Sequence, residues 1–120
     1  MIAKKVFLQP SRIVYWGIRD LMDAQNGKEI FSDEARRTIY FTVKMFDAEW
    51  RLHFVAQPVD QGRCETSLEV VPETTDEESG IKTQDDNAVL ADYVSRREYA
   101  MLDAMLLIGT PLEIKYAIGE

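Results

Sequence analysis

The fold is decided by three consecutive segments, Arg37–Phe46 (RTIYFTVKMF), Glu49–Val59 (EWRLHFVAQPV) and Arg63–Val71 (RCETSLEVV). In each segment apolar residues occupy every second position, which is the period of a β-strand with one buried and one solvated face. Polar breaks at Asp47-Ala48 and Asp60-Gln61-Gly62 separate the segments. Because breaks this short force antiparallel hairpins, the pattern predicts a meander of three strands.

The alternation also assigns each side chain to a face of the sheet. The predicted core face carries Ile39, Phe41, Val43, Met45, Trp50, Leu52, Phe54, Ala56, Cys64, Leu68 and Val70. The opposite face carries Thr42, Lys44, Arg51, His53, Gln57, Arg63, Glu65, Ser67 and Glu69. One side of the sheet is therefore predicted to be core and the other solvent.

Working outward toward the N-terminus, the sequence predicts a short strand, a helix and a second short strand. The first strand covers residues 2–8, and Ser11 is the predicted N-cap of the helix. The helix places Val14, Gly17, Ile18, Leu21 and Gln25 toward the interior, with Gly17 allowing close approach to the sheet. Asn26-Gly27 ends it, since glycine tolerates a left-handed turn. Residues 28–32 form the second short strand.

Toward the C-terminus, the sequence predicts a long acidic loop and then a long helix. The loop covers residues 73–87, and the helix runs from about Asn87 to Ile108, capped by Asp86 or Asn87. Its predicted inward stripe is Leu90, Val94, Arg97, Met101, Met105 and Ile108. Gly109 and Pro111 stop the helix, and the alternation after Gly109 allows a last strand.

Together these elements predict an α+β fold, a single domain over residues 1–120. The predicted order is β-α-β-β-β-β-α with a possible last strand, and both helices pack on one face of the antiparallel sheet. This order, with the Pro10-Ser11 helix start and the Asp86-Asn87 helix start, resembles the helix-grip architecture of the START-like superfamily, which includes polyketide cyclases, aromatase/cyclases and lipid-transfer domains. The resemblance implies a cavity between the sheet and the long helix.

Composition argues against several classes of function. The net charge of −7 repels nucleic-acid phosphates and anionic membranes, so neither is an expected partner. With one cysteine, Cys64, and one histidine, His53, the chain indicates no disulfide, no metal site and no cofactor. No apolar stretch is long enough for a signal peptide or a membrane span, and a cytoplasmic protein is expected.

Five residues are candidates for lining the implied cavity: Phe41, Trp50, Phe54, Arg97 and Met101. Arg97 lies within the apolar stripe of the last helix, where it either extends its stem to the surface or points its guanidinium inward. An inward guanidinium needs an anionic partner, from a carboxylate of the protein or from a ligand. Extension to the surface or an ion pair with a carboxylate of the protein is favoured over contact with an anionic ligand.

Three further residues, Trp16, Tyr99 and Leu106, are predicted on the backs of the two helices, where they form a candidate surface for self-association. For Trp16 the alternatives are packing under the acidic loop and a helix buried on both sides. His53 is either a general base oriented by Glu65 or Glu69, or part of a solvated charge network, and the network is favoured. The leading hypothesis is therefore a non-catalytic domain that binds an apolar or amphipathic small molecule. The alternatives are a protein–protein interaction module and, less supported, a cyclase- or hydrolase-like enzyme.

Overall fold

A computed structural model describes residues 2–72 and 84–108 of the chain, and in the second range it describes the side chains of residues 88–107. The elements are β1 (Ile2–Phe7), α1 (Ser11–Ala24), β2 (Lys28–Asp33), β3 (Thr38–Met45), β4 (Ala48–Asp60), β5 (Arg63–Pro72) and α2 (Gln84–Ile108). Their order is the predicted one, and the fold is α+β. Residues 73–83 of the predicted acidic loop and the possible strand after Gly109 lie outside the described residues, whereas residues 84–87, the end of that predicted loop, belong to α2.

The five strands form one antiparallel sheet in the order β1-β5-β4-β3-β2. The meander predicted from the alternating segments is confirmed, with Phe41 opposite Leu52 and Phe54 opposite Leu68. The turn between β3 and β4 is Phe46–Asp47, one residue earlier than the predicted break, because Met45 pairs with Ala48. Both turn residues have positive φ, 56° and 58°, as a two-residue hairpin turn of this kind requires.

The core lies between the inner face of the sheet and the two helices. The predicted alternation is confirmed for the fully buried side chains of the meander, which are Ile39, Phe41, Trp50, Leu52, Phe54, Ala56, Cys64 and Leu68. Burial raises the pKa of the Cys64 thiol to about 11, which agrees with a packing role for this residue. Thr66, which the apolar pattern omitted, is also fully buried on this face.

Helix α1 differs from the prediction at both ends. The N-cap residue is Pro10, which makes no side-chain capping bond, and Ser11 is the first helical residue and is buried. At the C-terminal end the left-handed residue is Asn26, with φ 56°. Gly27 serves a different purpose, since a Cβ there would lie 2.9 Å from Phe41 Cδ2 and 2.9 Å from Met22 Cγ.

Gly17 lies at the contact between the two helices, and the prediction that it faces the sheet is wrong. A Cβ built on Gly17 would lie 2.7 Å from Leu106 Cδ2 and 3.3 Å from Leu102 Cδ1, both in α2. The missing side chain therefore lets α1 approach α2 closely.

Helix α2 begins at Gln84, so Asp86 and Asn87 lie within its first turn and the predicted cap is wrong. Its buried face is also rotated from the predicted stripe. The buried side chains are Ala91, Val94, Ser95, Glu98, Tyr99, Leu102 and Leu106, whereas Leu90, Arg97, Met101 and Met105 are half-buried. No helix within the described ranges is both long and apolar enough to cross a bilayer.

This rotation removes most of the predicted self-association surface. Tyr99 and Leu106 are only 8% and 6% exposed, so their predicted exposure is wrong. The Tyr99 hydroxyl donates a hydrogen bond to the carbonyl of Ala3 at 2.8 Å, and the Thr66 hydroxyl lies 3.0 Å from it. Trp16 is half-buried against the core, with the Arg19 guanidinium 5.9 Å from its ring. Self-association stays a prediction, without the surface on which it was based.

Candidate functional site

The end of the β3–β4 hairpin borders two clefts that open to solvent. The larger, which we call the hairpin cleft, has a volume of about 660 Å³ and is lined by Lys44, Met45, Phe46, Asp47, Ala48 and Glu49. The smaller, the side cleft, has a volume of about 390 Å³ and is lined by Gln25, Asn26, Lys28, Thr42, Val43, Lys44 and Glu49. Lys44 and Glu49 belong to both, so the two clefts adjoin.

The backbone of the hairpin holds an aromatic ring at the hairpin cleft. Phe46 has a positive φ, which is uncommon for a bulky side chain. The indole Nε1 of the buried Trp50 donates a hydrogen bond to the Met45 carbonyl at 3.1 Å and so stabilises the turn. The Phe46 ring meets Tyr93 of α2 edge-on, with ring centroids 5.4 Å apart. Both rings remain about half exposed, so apolar surface is accessible beside the hairpin cleft.

A buried carboxyl lies where α2 meets the end of α1. Glu98 is 0% exposed, and its Oε1 accepts a hydrogen bond from Gln25 Nε2 at 2.6 Å. Its other oxygen, Oε2, is also buried and has no hydrogen-bond partner in the part of the chain that the structure describes. The Arg97 guanidinium is close to it, with NH1 3.6 Å from Oε2.

This environment changes the protonation of Glu98. Burial raises its pKa from the ordinary value of 4.5 to about 7, although the hydrogen bond from Gln25 and the charge of Arg97 both act in the opposite direction. The neutral acid and the carboxylate are therefore both populated near neutral pH. A carboxyl in this state can give or take a proton, or donate a hydrogen bond from its O–H.

Arg97 connects the buried carboxyl with the hairpin cleft. Its side chain is 38% exposed, and NH1 donates to Gln25 Oε1 at 3.2 Å and lies 3.0 Å from the Met45 sulfur. The interpretation favoured from the sequence is extension to the surface or an internal ion pair, and Arg97 combines the two: its side chain is partly exposed, and its guanidinium faces Glu98 at a distance too long for a hydrogen bond. Met45 lines the hairpin cleft and Gln25 lines the side cleft. We call Gln25, Met45, Arg97 and Glu98 the polar cluster.

The structure separates Arg97 from the other predicted ligand-binding residues. Phe41 and Phe54 stack in the core with ring centroids 6.1 Å apart, and Trp50 packs in the same core. These three side chains are at most 1% exposed and line neither the hairpin cleft nor the side cleft. Met101 is half-buried against the core. A ligand would contact the three core rings only after displacing packed side chains, and their ligand-binding role stays a prediction.

His53 lies away from both clefts, on the outer face of the sheet. It lies opposite Glu69 of β5, which is one of the two carboxylates predicted as its partner. The His53 ring stacks on Tyr40 with ring centroids 5.1 Å apart. Among the described residues no group of three His, Cys, Asp or Glu side chains is placed to hold a metal ion.

Sequence reasoning missed Glu98, although a signal was present. Val94, Glu98, Leu102 and Leu106 follow one another at intervals of four residues, which places them on one face of a helix. A glutamate within such a ladder is a candidate buried carboxyl. Gln25, its hydrogen-bond partner, was predicted to face inward.

Three solved structures are similar to this chain in fold. The di-domain ARO/CYC BexL from the BE-7585A biosynthetic pathway has a TM-score of 0.60 at 18% identity, covering 85% of this chain and 44% of BexL. The Zhui aromatase/cyclase from Streptomyces sp. R1128 has a TM-score of 0.54 at 14% identity, covering 88% of this chain and 90% of Zhui. Ara h 8.0201 has a TM-score of 0.57 at 9% identity, covering 91% of this chain and 97% of that protein.

These similarities concern the fold. No protein-family model and no curated protein sequence matches the chain. The chain spans 44% of the length of BexL, which is less than half of that di-domain protein. The resemblance to the START-like helix-grip architecture, predicted from the order of elements, is confirmed at the level of fold.

Proposed function

We propose that this chain binds an apolar or amphipathic small molecule at the hairpin cleft. The apolar part of the molecule contacts the Phe46–Tyr93 pair, and its polar end lies toward Arg97 and Glu98. This location differs from the cavity implied by the sequence, because the hairpin cleft is lined by residues of the β3–β4 hairpin. The predicted residues Phe41, Trp50, Phe54 and Met101 line neither the hairpin cleft nor the side cleft.

The observation that carries this proposal is the buried Oε2 of Glu98 without a hydrogen-bond partner among the described residues. Leaving a buried polar group unsatisfied costs about 1–3 kcal/mol, and more for a charged group. The neighbouring guanidinium of Arg97 contacts a thioether and an amide rather than a well-placed carboxylate. A ligand with hydrogen-bonding oxygens would satisfy both groups at once.

Two further observations support binding of a small molecule. Volumes of about 660 and 390 Å³ lie in the range of small-molecule sites. The fold is shared with aromatase/cyclases from biosynthetic pathways, a class of protein that acts on small organic molecules. This second point is an analogy of fold, and the cleft and its polar cluster carry the argument.

A cyclase-type enzyme is the second candidate function, because of the protonation of Glu98. Its pKa of about 7 suits a group that both gives and takes protons at neutral pH. In that case Glu98 would transfer a proton to or from a bound carbonyl compound, with Arg97 stabilising the developing oxyanion. Turnover of a bound compound, lost in Glu98→Gln, would distinguish this candidate from a binding protein.

Titration with the neutral apolar dye Nile red tests the proposal. We expect saturable binding with blue-shifted emission, and about fivefold weaker binding in Tyr93→Ala, since loss of one aromatic contact costs about 1 kcal/mol. Tyr40→Ala is the matched control, because Tyr40 lies on the outer face of the sheet beside His53. Unsaturable binding, or equal losses in the two variants, would contradict the location proposed here.

A further inference from the structure

We infer that the bound molecule carries a carboxylate, and that Glu98 binds it in the protonated form together with Arg97. In this arrangement the Glu98 Oε2–H and the Arg97 guanidinium each donate a hydrogen bond to the ligand carboxylate. The inference rests on the proposed function and specifies the chemistry of the ligand's polar end.

The hydrogen bonds of Glu98 determine which of its oxygens carries the proton. Oε1 accepts the N–H of Gln25 at 2.6 Å and therefore acts as the carbonyl oxygen of the neutral acid. The proton then lies on Oε2, a buried donor with no acceptor among the described residues. A ligand oxygen that approaches Oε2 must therefore be an acceptor.

Arg97 supplies the second donor and the positive charge. Its NH1 contacts the Met45 sulfur at 3.0 Å and the Gln25 amide oxygen at 3.2 Å. Neither is a charged acceptor, whereas an arginine–carboxylate pair is among the strongest hydrogen-bonded contacts in proteins. Met45 is an unbranched, flexible side chain at the wall of the hairpin cleft, so its displacement would bring a ligand carboxylate to the guanidinium.

The charges around the polar cluster show why protonation decides binding. Arg97 is the charged group that faces Glu98, and Gln25, from α1, is neutral. The clefts that adjoin the cluster are lined by the charged residues Lys28, Lys44, Asp47 and Glu49. Two of these are positive and two are negative. The protonated cluster thus carries one positive charge for a ligand anion, whereas an ionised Glu98 would place two carboxylates side by side.

Protonation of Glu98 and binding of the ligand carboxylate favour each other. In the free protein Glu98 loses its proton near pH 7, and a ligand carboxylate beside it raises the pKa further. Binding above about pH 7 therefore takes up a proton, and the affinity falls by up to about tenfold per pH unit. Well below that pH Glu98 is already protonated, and the affinity becomes independent of pH.

Calorimetric titration of the full chain with decanoate and with decan-1-ol, from about pH 6 to about pH 9, tests the inference. These probes share a ten-carbon chain and differ in the charge of the head group. We expect decanoate to bind more tightly at the acidic end, and its binding at the alkaline end to take up about one proton, measured in buffers of different ionisation enthalpy. Decanol should bind without proton uptake at any pH.

Three variants make the test specific. Glu98→Gln keeps a neutral donor at the same position, so its affinity for decanoate should no longer vary with pH. Arg97→Gln should weaken decanoate binding by about tenfold and leave decanol binding nearly as it is. Glu69→Gln, an exposed carboxylate on the outer face, is the matched control and should keep the full pH dependence.

Different failures have different meanings. If decanoate binds with no proton uptake, or if Glu98→Gln keeps the wild-type pH profile, the inference is overturned while the proposed function stands. Nile red binding with no decanoate binding would likewise overturn only the inference. If neither Nile red nor decanoate binds, the proposed function itself fails, and the inference with it.

Discussion

At the scale of single residues, Glu98 is the feature that ordinary core packing does not explain. A fully buried carboxyl with one unpartnered oxygen destabilises the fold, and a leucine in the same ladder would pack without that cost. Such costs are typical of functional sites, where the surrounding structure holds a group in an unfavourable environment. The proposed binding of a ligand at the adjoining clefts accounts for this cost.

The protonation of Glu98 predicts how stability depends on pH. The carboxyl ionises near 4.5 in the unfolded chain and near 7 in the folded one, so the folded state binds more protons between these values. The free energy of unfolding contributed by Glu98 is therefore fully present below about pH 4.5 and is lost as the pH rises through about 7. The shift corresponds to about 3 kcal/mol. Urea denaturation of Glu98→Gln should lack this loss, and the variant should be more stable than the wild type at pH 8.

Glu69→Gln controls for removal of a carboxylate as such. Because Glu69 is exposed, its variant should follow the wild-type curve of stability against pH. If the stability of the wild type and of Glu98→Gln varied with pH in the same way, the buried, proton-binding state assigned to Glu98 would be contradicted.

The same residues show what could be predicted from sequence. In the meander, side chains alternate between the two faces of the sheet, so the apolar residues at every second position must share the buried face. The burial of Phe41, Trp50 and Phe54 was therefore predictable. In α2 the buried face includes the polar residues Ser95 and Glu98, while apolar residues such as Met101 and Met105 lie at its edges. A stripe chosen by apolar residues is therefore rotated by about one residue from the face that the structure buries. That prediction placed Arg97 inward and Tyr99 outward. The candidate site was missed for that reason.

At the scale of elements, the two helices contact each other through the absent side chain of Gly17. Glycine in a helix interior costs about 1 kcal/mol relative to alanine. That cost is offset because Leu102 and Leu106 of α2 pack directly over the Gly17 backbone. A close helix–helix contact of this kind depends on the partner side chain as much as on the glycine.

A double-mutant cycle tests this contact. Gly17→Ala should destabilise the wild type by about 1–2 kcal/mol, because overpacking at Leu106 outweighs the gain in helix propensity. In a Leu106→Ala background the same substitution should cost less than half as much, since the atom 2.7 Å from the new Cβ is then absent. Chemical denaturation gives both values. Equal costs in the two backgrounds would show that α2 does not pack over Gly17.

The hairpins were predictable at this scale because short polar breaks leave few ways to connect two strands. The shift of the β3–β4 turn to Phe46–Asp47 was not, because it depends on the pairing of Met45 with Ala48. That pairing puts a phenylalanine in a turn position where an asparagine or glycine is usual, and it places the Phe46 ring beside Tyr93.

At the scale of the whole molecule, the sheet and the two helices enclose a packed core, and the hairpin cleft and the side cleft lie beside the β3–β4 hairpin. Tyr99 ties α2 to β1 through the carbonyl of Ala3, and its aromatic ring meets Phe54 edge-on with centroids 6.0 Å apart. Burial raises the pKa of the Tyr99 hydroxyl to about 12, so it stays a neutral donor. The order of elements predicted this architecture and its helix-grip resemblance. The position of the clefts could not be predicted in the same way, because it depends on side chains of three separate elements.

An amide NMR titration of the labelled chain with decanoate tests the central claim most directly, because it reports where a ligand binds. We predict saturable shift changes at residues 44–49, at residues 93–98 of α2 and around Gln25, while the outer face around Tyr40 and His53 stays unperturbed. Changes confined to that outer face would contradict binding at the hairpin cleft, and so would the absence of saturable changes with decanoate and with Nile red alike.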